Sequence, residues 1–237
     1  MKKIKKYLPL LFFVIFMIMS IVIPFKYYMI KKYNYILPNE YVEVFKKAKK
    51  LEIKKNKDAN PKLNLDNIKF NVNYKYHLKR ANTNSKTIHN YYYDYVDDQI
   101  YDADLIVEKN SEFVSSIKQD DFNSKIVFNN KNIHNNKQIY DAMKKDYKTK
   151  TNFFTKKDDI LYLYAVRALI KQTIKSKSQL YHITGDYDGY LMVKDSKLDL
   201  HIFNGDDDYV FTFYNKDDDF FDLEFVKKFI TNIDFIR

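Results

Sequence analysis

Hydrophobic positions change their spacing along this chain, and each spacing predicts a different element. Residues 7–25 are an apolar run interrupted only by Pro9, Ser20 and Pro24, with Lys2, Lys3, Lys5 and Lys6 just before it. At about 1.5 Å of rise per residue the run reaches roughly 28 Å as a helix, close to the ~30 Å hydrocarbon thickness of a bilayer. A basic flank before an apolar stretch also describes a secretory signal. Signal cores usually run about 7–15 residues before a small-x-small site, whereas Ile21, Val22, Ile23 and Pro24 close this longer run. The expectation is a retained anchor, with cleavage after Ser20 as the alternative.

After Pro38, Asn39 and Glu40, the residues Tyr41, Val44, Phe45, Ala48 and Leu51 fall on one side of a helix, with glutamate early and lysine late, as the helix dipole prefers. Such a basic amphipathic helix either lies on a membrane surface or packs its stripe inward as the first helix of a domain. Residues 56–61 are a polar break, taken as the domain boundary.

From Leu63 the period becomes two. Ile68, Phe70, Val72, Tyr74, Tyr76 and Leu78 alternate with Lys69, Asn71, Asn73, Lys75, His77 and Lys79, the pattern of a half-buried strand. Residues 87–96 can fold back on it across a loop at 81–84. That register sets Tyr76 opposite His89, Tyr74 opposite Tyr91, Val72 opposite Tyr93 and Phe70 opposite Tyr95, giving one aromatic face. A slip by one would set Val72 against Asp94.

Apolar runs at 105–107 and 126–128 flank a predicted short helix at 111–118, and a further helix is expected at 138–147. Thr155 followed by Asp158 resembles a capping box for a helix reaching about residue 175. Its centre, 160–170, is apolar on nearly every side except at Arg167, as suits a buried central helix too short to cross a bilayer. Runs at 180–184, 190–194, 198–203 and 209–214 are separated by turn-forming segments at 185–189, 195–197 and 204–208, which specify an antiparallel meander. Asp219 would cap a last helix in which Phe221, Phe225, Phe229 and Ile233 recur every four residues. Strands and helices segregate, so the expected class is α+β. The predicted organisation is a cytoplasmic tail (1–6), a transmembrane anchor (7–25), a basic juxtamembrane segment (26–62) and an extracytoplasmic domain (63–237).

Charge sharpens this division. The net +10 is carried by residues 1–62, with 15 lysines against 4 acidic residues, while residues 63–237 hold 26 basic and 27 acidic residues. The folded part is nearly neutral, which removes the motive for nucleic-acid binding; lysines beside a bilayer are instead attracted to anionic headgroups. The lysines before the run, against Lys26, Lys31 and Lys32 beyond it, favour the N-terminal tail inside. Tyr27, Tyr28, Tyr33 and Tyr35 suit an interfacial aromatic belt or are ordinary linker residues. Lysine outnumbers arginine 38 to 3, and Asn, Ile, Tyr and Phe are abundant; these share adenine- and thymine-rich codons, which points to a low-GC bacterial genome and discounts the tyrosines as a functional signal. The absence of cysteine excludes disulfides and a lipid-modified cysteine.

Candidate chemistry is sparse. Alternate turns of a meander emerge at one edge, so Asp186, Asp188, Asp206, Asp207 and Asp208 should gather there. Such carboxylates could hold Ca²⁺, although Gly189 follows at once and Lys197 stands at the twelfth position, unlike an EF-hand; tight turns also call for Asp and Gly. Asp217, Asp218 and Asp219 fall at the opposite edge, at the start of the last helix. Asp97, Asp98, Asp102 and Asp104 read as a solvated stretch. His77, His89, His134, His182 and His201 lack metal-ligand spacing; His89 reads as a core-edge residue, and His182 and His201 sit on strands that are not neighbours. Arg167, in a chain that nearly always uses lysine, suggests a planar donor, in an ion pair with a loop aspartate. Gly185, Gly189 and Gly205 all fall in turns, so no phosphate-cradling loop is present, nor is a nucleophile elbow or a zinc signature. No catalytic, cofactor or metal residue is assigned, and no small-molecule ligand can be inferred. The expected partners are the lipid bilayer and a protein, the domain acting as an immunity-type inhibitor or an accessory subunit. The alternatives are an envelope enzyme using the acidic turns and a structural or assembly protein.

Overall fold

The computed structural model describes residues 2–33, 36–59, 61, 63–65, 68–70, 77–85, 88–94, 103–110, 124–205, 207–215 and 221–235. Helix α1 (Lys2–Tyr33) contains the apolar run and is long and apolar enough over Pro9–Tyr33 to cross a membrane, with none of its most apolar stretch buried against the rest of the chain. Only its end docks. Met29 is buried, the Lys26 amine meets the carbonyl of Thr155, and Tyr33 packs edge-on against Tyr164 at 5.5 Å.

Helix α2 (Asn39–Lys46) turns its stripe inward: Val44 and Phe45 are buried, and Phe45 stacks on Tyr147 at 5.0 Å. The helix stops before Leu51 because the sequence changes period there. Leu51 and Ile53 alternate with Lys50 and Glu52 and form strand β1 (Lys49–Ile53). The polar break that follows is tied to the fold by a backbone bond from Asn56 to the carbonyl of Thr231 (2.8 Å).

Strands β2 (Leu63–Leu65), β3 (Ile68–Phe70), β4 (His77–Ser85), β5 (Ile88–Asp94) and β6 (Ala103–Asn110) come next, then helices α3 (Ser124–Asn129), α4 (Asn136–Asp146) and α5 (Lys157–Thr173). The chain closes with strands β7 (Gln179–Gly185), β8 (Asp188–Lys194), β9 (Lys197–Asn204) and β10 (Asp207–Asn215), helix α6 (Leu223–Thr231) and strand β11 (Asp234–Phe235). The class is mixed α+β, and the meander of β7 to β10 forms as expected. The main sheet has the order β1-β7-β8-β9-β10-β6-β5-β4, and a small one the order β11-β3-β2. Contrary to the expectation of a purely antiparallel sheet, β1 joins β7 in parallel, Leu51 opposite Ile183. Gly185 makes the close approach possible: its φ is +104°, and a Cβ there would stand 2.3 Å from the carbonyl oxygen of Ile53.

The two faces of the meander bury different cores. On β8, Tyr190 and Met192 face the layer of α2, α4 and α5, with Phe45, Met143, Val166 and Ile170. Leu191 faces the other side, where α6 and the small sheet supply Phe225, Phe229, Ile68 and Phe70. The Phe229 ring meets Phe211 at 5.1 Å, Phe213 at 5.3 Å and Phe70 at 5.9 Å, so α6 joins the two sheets.

Three local expectations are corrected. The alternating run is split between sheets: Ile68 and Phe70 pair in the small one, whereas β4 continues through residues 81–84, which were expected to loop. His89 therefore faces Thr83, Tyr91 faces Ala81 and Tyr93 faces Leu78, with register irregularities at two points. Alternation specifies a strand but not its sheet, and the polar segment 81–84 can pair in β4, which ends the main sheet among the described residues. Val72, Tyr74, Tyr76 and Tyr95 lie outside the described residues, as do the predicted helix at 111–118 and Asp217, Asp218 and Asp219. Helix α5 is preceded by Lys156 and has no side-chain cap, because the Thr155 hydroxyl already accepts the amide of Asn152 (2.8 Å) in the preceding turn. Helix α6 is capped by Asp222, whose carboxylate accepts the amide of Phe225 at 2.6 Å.

Candidate functional site

Beneath α4, the face of the meander carries a row of rings and charges. Turn geometry fixes the row: His182 on β7 pairs with Tyr190 on β8, and Tyr190 with His201 on β9. The Tyr190 ring stacks on His201 at 4.1 Å with 13° between planes and on Tyr140 of α4 at 4.4 Å and 21°. Tyr140 is positioned by an α4 whose first turn is held by Asn135, which accepts the amide of Gln138.

The Tyr140 hydroxyl lies 2.7 Å from Nδ1 of His182. Burial pushes the His182 pKa down to about 4, helped by the positive charges of Lys144 and Lys50. The ring is thus neutral at pH 7, and its Nδ1 shares a hydrogen bond with the Tyr140 hydroxyl. His201 is bonded through Nδ1 to both carboxylate oxygens of Asp208, at 2.9 and 3.1 Å, and Asp208 is fully buried. Among the described residues the Tyr190 hydroxyl is buried without a hydrogen-bond partner. Burial first, then the charge of Asp208, holds its pKa well above the ordinary tyrosine range.

A second polar group lies two residues along β9. Asp199 receives the Lys175 amine, Lys197 at 3.1 Å and the Thr212 hydroxyl at 2.9 Å. Burial opposes its charge, but Lys175 and Lys197 outweigh that and hold its carboxyl below the ordinary range. Lys197 also lies over the Tyr214 ring at 4.8 Å.

Apart from the Tyr190 hydroxyl, these groups satisfy one another within a packed layer. His182 and His201 are separated by the Tyr190 ring, and among the described residues no group of three His, Asp or Glu could hold a metal ion. The acidic turn residues reach separate partners. Asp186 accepts the amide of Lys55 at 2.8 Å, Asp188 pairs with Lys137 at 2.5 Å, Asp207 sits opposite Asn204, and Asp208 bonds His201. Asp206, Asp97, Asp98 and Asp102 lie outside the described residues; Asp104 pairs along β6 with Tyr214. His134 bonds Asn129 at 3.2 Å, and His77 and His89 occupy strand positions in β4 and β5. Arg167 is buried, and its guanidinium donates to the carbonyl of Thr149 just beyond α4.

The Tyr140, His182, Tyr190 and His201 stack escaped sequence reasoning as a unit. Its signal was present in the turns: short connections at 185–189 and 195–197 place the three strand residues in one row. The contribution of Tyr140 depends on how α4 crosses the sheet, which periodicity does not encode. On the outside, an open groove of about 490 Å³ runs between α2 and the turn joining α5 to β7, lined by Glu40, Glu43, Val44, Lys47, Lys177, Ser178 and Gln179. The Gln179 amide closes one side by donating to the carbonyl of Lys47 at 3.1 Å. Compared with protein-family models, curated proteins and solved structures, the chain matches none of them.

Proposed function

We propose that this chain is a single-pass, membrane-anchored bacterial envelope protein whose domain, on the outer side, binds a protein partner as an inhibitor or accessory subunit. The observation that carries the reading is α1, a helix long enough to span a bilayer whose most apolar stretch finds no cover in its own fold. In water that surface would favour association, and in lipid it needs no partner. The lysines of the N-terminal tail support an inward-facing N-terminus. The groove beside α2 supports the partner: Glu40, Glu43, Lys47 and Lys177 line it together with Val44, and Glu43 pairs with Lys47 at 3.8 Å, a mixed-charge surface suited to another chain.

The test is photo-crosslinking in living cells from a probe at position 47 of the full chain, compared with a probe at position 196. Recurrent capture of one envelope protein from position 47 alone is expected. Repeated recovery of no protein, or equal capture from both positions, would refute the partner.

A further inference from the structure

Phe153 and Phe154 project from the turn before α5, 46 % and 88 % exposed, their rings edge to face at 5.8 Å. Two adjacent phenylalanines facing water are unfavourable unless something covers them. Their place in the fold indicates what does. The next residue, Thr155, takes the Lys26 amine on its carbonyl, and the Lys157 amine lies 5.9 Å from the centre of the Phe25 ring. Phe25 and Lys26 are where the apolar run of α1 ends, which in a spanning helix is the level of the lipid headgroups. The turn is therefore held against the helix at the depth where it leaves the hydrocarbon. Tyr27 and Tyr28 are exposed at the same level, and Lys156 and Lys157 follow the phenylalanines with Asp158 beside them, all three exposed.

We infer that Phe153 and Phe154 insert into the bilayer interface, giving the domain a second membrane contact that seats it on an anionic lipid surface. Aromatic rings at the acyl boundary with lysines above them are the chemistry of interfacial anchoring. Turn and helix then act as two points that restrict the domain's tilt. This rests on the reading of α1 as a retained anchor.

The chain has no tryptophan, so single substitutions supply unique reporters in the full chain. Phe154→Trp, Phe16→Trp and Ser196→Trp would each be reconstituted into vesicles of phosphatidylcholine and phosphatidylglycerol, with and without brominated lipids. Position 196 lies by the far end of α5, whose 17 residues span roughly 25 Å. Expected are deep quenching of Phe16→Trp, quenching of Phe154→Trp by shallowly brominated lipid with blue-shifted emission, and water-like emission from Ser196→Trp. If Phe16→Trp is quenched while Phe154→Trp behaves like Ser196→Trp, the seating is wrong and the anchor stands. If Phe16→Trp is not quenched, the anchor is wrong and the seating falls with it.

Discussion

His182 is the side chain whose environment makes the clearest solution prediction. Its pKa falls from an ordinary value of 6.5 to about 4 in the folded chain, so the unfolded chain takes up a proton between those values and the folded chain resists it. The contribution to stability is complete above about pH 6.5 and declines as the pH falls toward 4. Thermal unfolding of the full chain should show that decline, and His182→Gln, which keeps an acceptor for Tyr140, should flatten it; an unchanged slope would mean that His182 is not the titrating group. Charge gives a second contrast. Asp199→Asn removes the partner of Lys175 and Lys197 in a nearly buried place and should cost about 1.5–3 kcal/mol in chemical denaturation. Asp188→Asn breaks a pair whose side chains are about half exposed and should cost less than about 1 kcal/mol. The distinction was hidden in the sequence, where both are aspartates near turns; the fold buries Asp199 and leaves Asp188 half exposed beside Lys137.

At the level of elements, legibility followed the range of the interactions involved. The strands of the meander were readable because each is bounded by its own turn chemistry and alternates against a neighbour a few residues away. Helix α5 was readable from its nearly continuous apolar surface. The parallel joining of β1 to β7 was not, since nothing local in residues 49–53 specifies a strand more than a hundred positions on; nor was the division of the alternating run between two sheets. What holds these distant pairings is close packing, and it can be tested. A Cβ on Gly189 would stand 2.0 Å from the carbonyl oxygen of His201, so Gly189→Ala must spread β8 from β9 and should cost about 1–3 kcal/mol. Phe229, 2 % exposed, ties α6 to both sheets, and Phe229→Ala should cost about 3–5 kcal/mol. A loss below about 1 kcal/mol in denaturant titrations of that variant would mean that α6 does not join the sheets.

For the whole molecule, the decisive contrast lies between an apolar helix that the fold leaves bare and a domain with two well-filled cores. The charge division agrees with it, since the positive excess lies in the segment containing that helix and the residues beside it. Sequence reading marked the apolar run, but its boundary at 56–61 falls beyond α2 and β1, which join the core and the main sheet, and it did not show the docking of the helix end on α5, where Tyr33 meets Tyr164. The most direct check is the intact mass of the protein recovered from carbonate-washed membranes of cells that make the full chain. Retention of α1 in lipid requires the membrane fraction to hold the protein at the mass of all 237 residues, apart from removal of the initiating methionine. A soluble product whose mass lacks the first two dozen residues would contradict it.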